Sequence, residues 1–207
     1  MNFSFETIEV GPLKTNAYLI EADNAKVLID PGGNFNDIAN AIDKTGGGLE
    51  AVWLTHAHFD HVSALHQIVA QYSVPFYMHP DASYFLEHAT GMAKAFGFSI
   101  NEPPTNFIPL KDRQLLAVGT HQCLCLATPG HAPGHIAFWF KNEKLVFSGD
   151  TLFSGSIGRT DLPFGDLDLL RHSIESRLMG LEETTSVLPG HGPPTTIAIE
   201  KATNPFL

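Results

Sequence analysis

One short segment of the sequence places three histidines and one aspartate within six consecutive positions, from His56 to His61. It follows the apolar run 51–54, which is typical of a buried strand. In extended backbone, residues two apart share a face, so His56 and His58 can converge on one ion while Asp60 and His61 turn toward a second. Two ions side by side can make hydroxide from water at neutral pH. The segment therefore predicts a metal site at a strand end, and a hydrolase.

Three further potential ligands lie in glycine-containing turns later in the chain. They are His131 in a Pro-Gly-His turn, Asp150 in Gly-Asp-Thr and His191 in Pro-Gly-His-Gly. Glycine permits the tight backbone that aims an imidazole or a carboxylate into a shared cleft. Each turn follows a strand-like run, and side chains on loops at one edge of a sheet can converge. The potential ligands are then five histidines and two aspartates.

Composition limits the class of protein. The 207 residues are 43% apolar, so we expect one domain over residues 1–207 with a substantial core. The formal net charge of −10 and the total of only 12 lysines and arginines disfavour nucleic acid as a partner. The first residues form no basic leader, and no apolar stretch is long enough to span a bilayer. We therefore expect a cytoplasmic protein without a membrane partner.

Short apolar runs separated by turn residues predict strands, and amphipathic stretches predict helices. The predicted strands are 16–21, 26–30, 50–55, 75–78, 122–127, 135–140, 145–148 and 186–188. The predicted helices lie near 35–45, 60–72, 81–96, 166–179 and 195–202. Many strands are apolar on both faces, as expected when a sheet packs against another sheet on one side and helices on the other. The pattern predicts an α/β sandwich with outer helices, with the glycine- and proline-containing stretch 97–109 as the join between two halves.

The ordered motifs resemble those of the metallo-β-lactamase superfamily, nearly end to end: His-x-His-x-Asp-His, then a His, an Asp and a final His. The resemblance implies the four-layered αββα sandwich of that family. It also implies two divalent metal ions per chain. In this pattern the first is held by His56, His58 and His131, the second by Asp60, His61 and His191, and Asp150 bridges both. A ligand set without thiolate suits zinc first, with iron or manganese as alternatives.

Within that superfamily, the motifs at 30–33, 129–135, 149–153 and 189–192 are similar to those of glyoxalase II, the hydroxyacylglutathione hydrolases. Asp30 matches the first of these motifs. The resemblance implies that its carboxylate hydrogen-bonds the ligand loop and fixes an imidazole tautomer. The alternative is an aspartate that only begins a turn before proline.

The chain ends at Leu207, shortly after His191, whereas full-length glyoxalase II enzymes carry a further helical domain with glutathione contacts. It resembles the compact bacterial glyoxalase II-like subgroup, including the loop 158–163. In this loop Arg159 has two interpretations. Its guanidinium could hold a substrate carboxylate by bidentate hydrogen bonds, or form a local salt bridge to Asp161.

The expected reaction is attack of a metal-bridging hydroxide on a small-molecule thioester such as S-D-lactoylglutathione, with Asp60 and Asp150 as the catalytic carboxylates. A thiol has a pKa of about 8.5, so it can leave as a thiolate without a general acid. An amide nitrogen needs a proton, and the sequence indicates no donor. Asp150 also occupies the stretch where several β-lactamases place a metal-binding cysteine. We therefore do not expect penicillin hydrolysis as the main activity.

Two alternatives remain open at this stage. The Gly-Arg-Thr-Asp loop also occurs in persulfide dioxygenases of the superfamily, which use a single iron bound by two histidines and one aspartate. A scaffold that binds metal without turnover is the non-catalytic alternative. A nuclease is a weaker enzymatic option, because nucleases of the superfamily usually carry an RNA-binding insertion or an extra metallo-domain. Metal content and oxygen uptake separate the first alternative from a hydrolase with two metals.

Overall fold

Two six-stranded sheets form the centre of the molecule in a computed structural model that describes residues 3–44, 46 and 48–207. The strands are β1 (Phe3–Val10), β2 (Thr15–Ala22), β3 (Ala25–Ile29), β4 (Gly48–Trp53), β5 (Phe76–Met78), β6 (Ile108–Pro109), β7 (Leu115–Val118), β8 (His121–Ala127), β9 (Ile136–Phe140), β10 (Leu145–Gly149), β11 (Leu152–Phe153), β12 (Ser156–Ile157), β13 (Ser186–Pro189) and β14 (Thr195–Thr196). The first sheet runs β1-β2-β3-β4-β5-β6 and the second β14-β13-β10-β9-β8-β7, while β11 and β12 form a small ribbon. The chain crosses from one sheet to the other directly after the predicted join.

Helices cover the outer face of each sheet. They are α1 (Phe35–Lys44), α2 (Phe59–Val62), α3 (Leu65–Tyr72), α4 (Ser83–Glu87), α5 (Ala89–Ala95), α6 (Leu167–Ser173) and α7 (Ile197–Thr203). A 3-10 turn over Pro80–Ala82 precedes α4, and a π turn over Ile174–Leu178 extends α6. Helices α1 to α5 pack on the first sheet, and α6 and α7 pack on the second. The predicted four-layered αββα sandwich is therefore confirmed.

Strand β4 illustrates why the sheets are apolar on both faces. Ala51 and Trp53 lie in the core between the two sheets, while Val52 lies in the core under the helices of the first half. Successive strand residues point to opposite faces, so a strand in a middle layer needs an apolar residue at every position. The core between the sheets includes residues from both halves, and this supports our proposal of a single domain. Within the described residues, no helix is both long enough and apolar enough to cross a membrane.

All the predicted strands form at or within two residues of the predicted bounds. The predicted helix near 35–45 corresponds to α1, although residue 45 lies outside the described residues. The predicted helix over 60–72 is divided into α2 and α3. At this break the backbone N–H of Ala64 donates to the carbonyl of Pro31 instead of continuing one helix. The predicted helix over 81–96 is likewise divided, at His88 between α4 and α5.

The carboxyl ends of several strands meet at one edge of the sandwich. In the first sheet, β3 and β4 are parallel neighbours that end just before Asp30 and the segment 54–61. In the second sheet, β10 and β13 are parallel and end at the Asp150 and His191 turns. Strand β8 is antiparallel to β9, which is antiparallel to β10, so β8 also ends at this edge. The topology thus brings turns from both halves of the chain to a common place.

Candidate metal centre

Three histidine side chains converge in the first part of the centre. The Nδ1 atom of His58 lies 3.1 Å from Nε2 of His56 and 2.9 Å from Nε2 of His131. All three residues are buried, and their ring nitrogens lie within 4.8 Å of one another. Three imidazole nitrogens that face a common point are a typical arrangement for a transition metal.

A carboxylate and two imidazoles form the second part. Oδ2 of Asp60 lies 3.2 Å from Nε2 of His191 and 3.7 Å from Nε2 of His61. These three residues also form a group whose possible ligand atoms lie within 4.8 Å. Because imidazole and carboxylate suit zinc, iron or manganese, the group has the chemistry of a second cation site.

Asp150 lies between the two groups. Its Oδ2 atom is 3.6 Å from Nε2 of His131 and 3.5 Å from Nε2 of His191, while its Oδ1 atom is 3.4 Å from Nε2 of His61. One carboxylate therefore contacts imidazoles of both groups. The seven predicted ligands, which come from both halves of the chain, are brought together.

Two backbone carbonyls orient the imidazoles contributed by the second half. Nδ1 of His131 lies 2.7 Å from the carbonyl oxygen of Arg159, and Nδ1 of His191 lies 3.1 Å from that of Leu13. A carbonyl only accepts hydrogen bonds, so each Nδ1 must carry the proton. Each Nε2 then presents a lone pair to the centre, which is the tautomer that a metal requires.

Asp30 and Thr55 orient the imidazoles of the first half. The buried carboxylate of Asp30 accepts from the Thr55 amide at 2.8 Å, the Thr55 hydroxyl at 2.6 Å and Nδ1 of His61 at 2.9 Å. The Thr55 hydroxyl also lies 3.0 Å from Nδ1 of His56. Since this hydroxyl donates to Asp30, its lone pair accepts the His56 proton, which leaves Nε2 of His56 free. Asp30 adopts a left-handed backbone conformation with φ of 50°, and the three hydrogen bonds hold it there.

Burial keeps two imidazoles of the first group, those of His56 and His58, neutral. It lowers the pKa of His58 to about 3 and that of His56 well below its ordinary value. A buried imidazole is expensive to protonate, because the charged form loses its hydration. Both side chains therefore present neutral nitrogen donors at neutral pH.

The second group is rich in negative charge. Burial opposes the charged form of His61, but Asp150, Asp60 and Asp30 outweigh it and raise the pKa of His61 well above its ordinary value. Burial also opposes the charged form of Asp150, and the imidazole of His61 outweighs it and lowers the pKa of that carboxyl. The carboxylates thus favour a positive charge between His61, Asp60 and Asp150, either a protonated imidazole or a metal cation.

Several buried polar atoms of the centre make no hydrogen bond to the described residues, although some of them lie in longer ion-pair contacts. They include Nε2 of His61 and Oδ1 of Asp150. Buried polar atoms are normally paired, so such orphans call for an ion or water. Gly190 keeps the space open, since a Cβ there would lie 2.1 Å from Oδ1 of Asp150 and 2.8 Å from Cε1 of His61. The residues present therefore fit a pair of divalent metal ions.

His135 holds the backbone of Asp150 by a hydrogen bond. Its Nε2 accepts the backbone N–H of Asp150 at 3.0 Å, and its Nδ1 lies 2.9 Å from the hydroxyl of Thr128. Burial lowers the pKa of His135 well below its ordinary value. This neutral imidazole belongs to none of the possible metal groups formed by the described residues. It is a buried core histidine that holds the Asp150 turn.

Strand β2 contributes contacts that the sequence analysis missed. The hydroxyl of Thr15 donates to Oδ2 of Asp60 at 3.1 Å. The side-chain amide of Asn16 donates to the carbonyls of Pro189 at 3.0 Å and Gly192 at 2.9 Å, on either side of the His191 turn. Polar residues at the start of an apolar strand are common, so no sequence signal distinguished these two.

A cavity of about 580 Å³ opens over the centre, with His58, Asp60, His131, Asp150 and His191 in its lining. Its walls are mostly apolar. Arg159 also lines it, but the guanidinium binds both carboxylate oxygens of Asp161, at 2.7 Å for each of two contacts. The local salt bridge foreseen in the sequence analysis therefore forms, while the side chain remains beside the cavity.

Comparison with known proteins agrees with this geometry. The sequence profile of the family described as "Metallo-beta-lactamase superfamily" matches residues 10–191. The chain belongs to the metallo-β-lactamase superfamily. This family of metallo-hydrolases accounts for both the sandwich and the position of the centre at its edge. The hydroxyacylglutathione hydrolase GloC of Haemophilus influenzae is 35% identical over 210 residues, which cover 99% of this chain and 98% of that protein.

Two solved members of the superfamily have the same architecture. The crystal structure of TTHA1623 in a di-iron-bound form superposes with a TM-score of 0.92 at 43% identity, covering 98% of this chain and 100% of that one. The crystal structure of the BLEG-1 B3 metallo-beta-lactamase superposes with a TM-score of 0.92 at 39% identity, covering 99% of both chains. In both comparisons the superposition covers 98% or 99% of this superfamily member, so it includes nearly all of both sheets.

Proposed function

We propose that this superfamily member is a hydrolase with two metal ions whose substrate is a small-molecule thioester, with S-D-lactoylglutathione as the first substrate to test. The observation that carries the proposal is the contact of Asp150 with imidazoles of both ligand groups. In our assignment His56, His58 and His131 hold the first metal, and Asp60, His61 and His191 hold the second. When bound, two divalent ions supply a nucleophile derived from water and polarise the substrate carbonyl.

The donor atoms limit the metal to a small number of elements. The donors are imidazole nitrogens and carboxylate oxygens, which suit zinc, iron and manganese. Zinc is our first choice, and the di-iron form of TTHA1623 supports iron as the next.

The ionisable groups of the cavity favour a thioester over an amide. Beyond the five assigned ligands in its lining, Arg159 is the only ionisable side chain among the described residues there. A guanidinium does not give up a proton near neutral pH, so it cannot serve as a general acid. A thiolate leaves without a proton, whereas an amine needs one. The similarity to GloC supports the same choice.

β-Lactam hydrolysis is the second candidate, because the similarity to BLEG-1 favours it. Its leaving group is a nitrogen, and the cavity offers that atom no proton donor of its own. We therefore place it behind thioester hydrolysis. A dioxygenase with a single iron would use only one of the two ligand groups.

One purified sample tests these possibilities together. Metal content is measured first, and the same sample is then assayed with S-D-lactoylglutathione, with benzylpenicillin and with glutathione persulfide under oxygen monitoring. We expect about two metals per chain and turnover of the thioester. One iron per chain with oxygen uptake on the persulfide would contradict the proposal. Two bound metals without turnover of the thioester, the penicillin or the persulfide would indicate a binding scaffold instead.

A further inference from the structure

One wall of the cavity beside the metal centre is apolar. It is formed by Phe85, Met92 and Phe96 of helix α4, helix α5 and the end of α5. Phe85, which is 2% exposed, packs edge-on against the ring of His58 with a centroid distance of 4.7 Å. Met92 and Phe96 line the same cavity from α5 and its end. Phe96 also contacts the ring of Phe59 at 5.4 Å. The side chains next to the assigned ligand His58 thus form a continuous hydrophobic surface.

This surface continues outward to two exposed aromatic side chains. Phe96 is 50% exposed, and Phe164 is 61% exposed and packs against Phe85 with a centroid distance of 5.9 Å. A cavity of several hundred cubic ångströms with apolar walls and a few polar groups is typical of a site for an organic ligand. The wall residues Phe85, Met92 and Phe96 carry no charge. Among the described residues that line the cavity, Arg159 is the one lysine or arginine, and its guanidinium, from the loop after β12, is paired with Asp161.

We propose that this wall binds the acyl part of the substrate, and that the preferred acyl group is an uncharged alkyl or aryl chain rather than a short hydroxyacyl group such as lactoyl. This inference rests on the proposed thioester hydrolysis. An acyl chain that leaves water for the wall gains binding in proportion to its apolar area. The lactoyl hydroxyl would lose its hydrogen bonds to water at this wall, and the side chains of Phe85, Met92 and Phe96 offer no replacement partner.

A series of glutathione thioesters with one thiol and different acyl groups tests the inference. The enzyme loaded with metal is assayed with the acetyl, butanoyl, hexanoyl and D-lactoyl thioesters. From the transfer free energy of a methylene group, we expect kcat/KM to rise about threefold to fourfold per methylene until the wall is covered. The lactoyl thioester should then be slower than the hexanoyl thioester. A flat or falling dependence, with acetyl turnover retained, would overturn the inference.

Phe96 is the position for a variant, because it is 50% exposed and its truncation disturbs the core less than truncation of Phe85, which is 2% exposed. Phe96→Ala should lower kcat/KM for the hexanoyl thioester about fivefold more than kcat/KM for the acetyl thioester. Met92→Gln provides a second, polar variant of similar size. Phe206→Ala is the matched control, since Phe206 is 41% exposed and does not line the cavity. Equal losses on both thioesters in the Phe96 variant would contradict the assignment.

A second series varies the thiol and keeps the acyl group constant. Acetyl thioesters of ethanethiol and hexanethiol should react at similar rates if the wall binds the acyl part. A dependence on thiol length alone would overturn the inference and assign the wall to the thiol. Absence of hydrolysis of every thioester by the protein with two metals would instead overturn the proposed function, and the inference with it.

Discussion

Asp30 holds His61 through a hydrogen bond of 2.9 Å between the carboxylate and Nδ1 of the imidazole. Neither residue is exposed by more than 2%. The bond fixes a proton on Nδ1, so that Nε2, which faces Asp60 and Asp150, is the nitrogen available to a metal. The same carboxylate receives both hydrogen bonds from Thr55, whose hydroxyl contacts His56. One carboxylate therefore sets the tautomers of an imidazole in each ligand group.

Asp30→Asn should separate this role from packing, because the two side chains have nearly the same shape. An amide nitrogen directed at His61 cannot accept its proton, so the imidazole would place the proton on Nε2 and lose its lone pair for a metal. Support of this kind typically contributes about 10-fold to 100-fold in metal affinity. We expect a loss of that size in a competition titration with a chelator. Asp168→Asn, an exposed carboxylate in α6, is the control, and equal affinities in both variants would contradict the role.

Asp150→Ala should abolish thioester hydrolysis and lower the metal content. Asp150 is the side chain that contacts imidazoles of both groups, so its removal takes away the link between the two positions. Metal content and thioester turnover are measured on the same preparation. Glu175→Ala removes an exposed carboxylate of the outer helical layer and should leave both quantities unchanged. Full activity in an Asp150 variant with little metal would refute the proposed mechanism.

Gly190→Ala tests whether the space at the centre is required. The added methyl group would lie 2.1 Å from Oδ1 of Asp150, which is far inside van der Waals contact, so the carboxylate must move. We expect loss of metal binding although no ligand is altered. Gly180→Ala is the matched control, because no atom lies within 4 Å of a Cβ built there and its φ is not positive. This control should be neutral or stabilise the protein by up to about 1 kcal/mol. Normal metal content in the Gly190 variant would show that the carboxylate has room to adjust.

Arg159→Met tests the other interpretation of this residue given in the sequence analysis, that its guanidinium binds a substrate carboxylate. The variant keeps the backbone carbonyl that orients His131, so the metal content should not change. KM should rise about 10-fold for a glutathione thioester, which carries carboxylates, and stay constant for a thioester of a neutral thiol. Asp161→Asn releases the guanidinium and should lower KM for the glutathione thioester. The stability of this second variant should change little, because the pair is exposed. Identical effects on charged and neutral thioesters would exclude the contact.

The strands of the two middle layers could be predicted from the sequence because a strand packed on both faces leaves an uninterrupted apolar run. Strands β1 and β7 were missed for the opposite reason. They lie at the edges of the two sheets, and most of their residues are exposed or half-buried, so neither carries a continuous run. The division of the helix over 60–72 was also missed, since it depends on a hydrogen bond from Ala64 to Pro31 in a distant part of the sequence.

The ligands could be predicted because each is a distinctive residue type in a distinctive turn. The groups that orient them could be predicted only in part. Asp30 carries a motif, but the carbonyls of Leu13 and Arg159 do not, because every residue has a carbonyl group. Their partners, His191 and His131, lie 178 and 28 residues away in the chain. Such contacts are determined by the packing of the two halves and leave no local pattern.

The dual contribution of Arg159 has an evolutionary consequence. Its carbonyl orients His131, while its side chain lies beside the cavity. Because all amino acids share the same carbonyl, a point mutation can exchange the side chain at this position without disturbing the orientation of the ligand. An insertion or deletion in the loop would move both together. Substitution at this position can therefore change the lining of the cavity without changing how His131 is oriented.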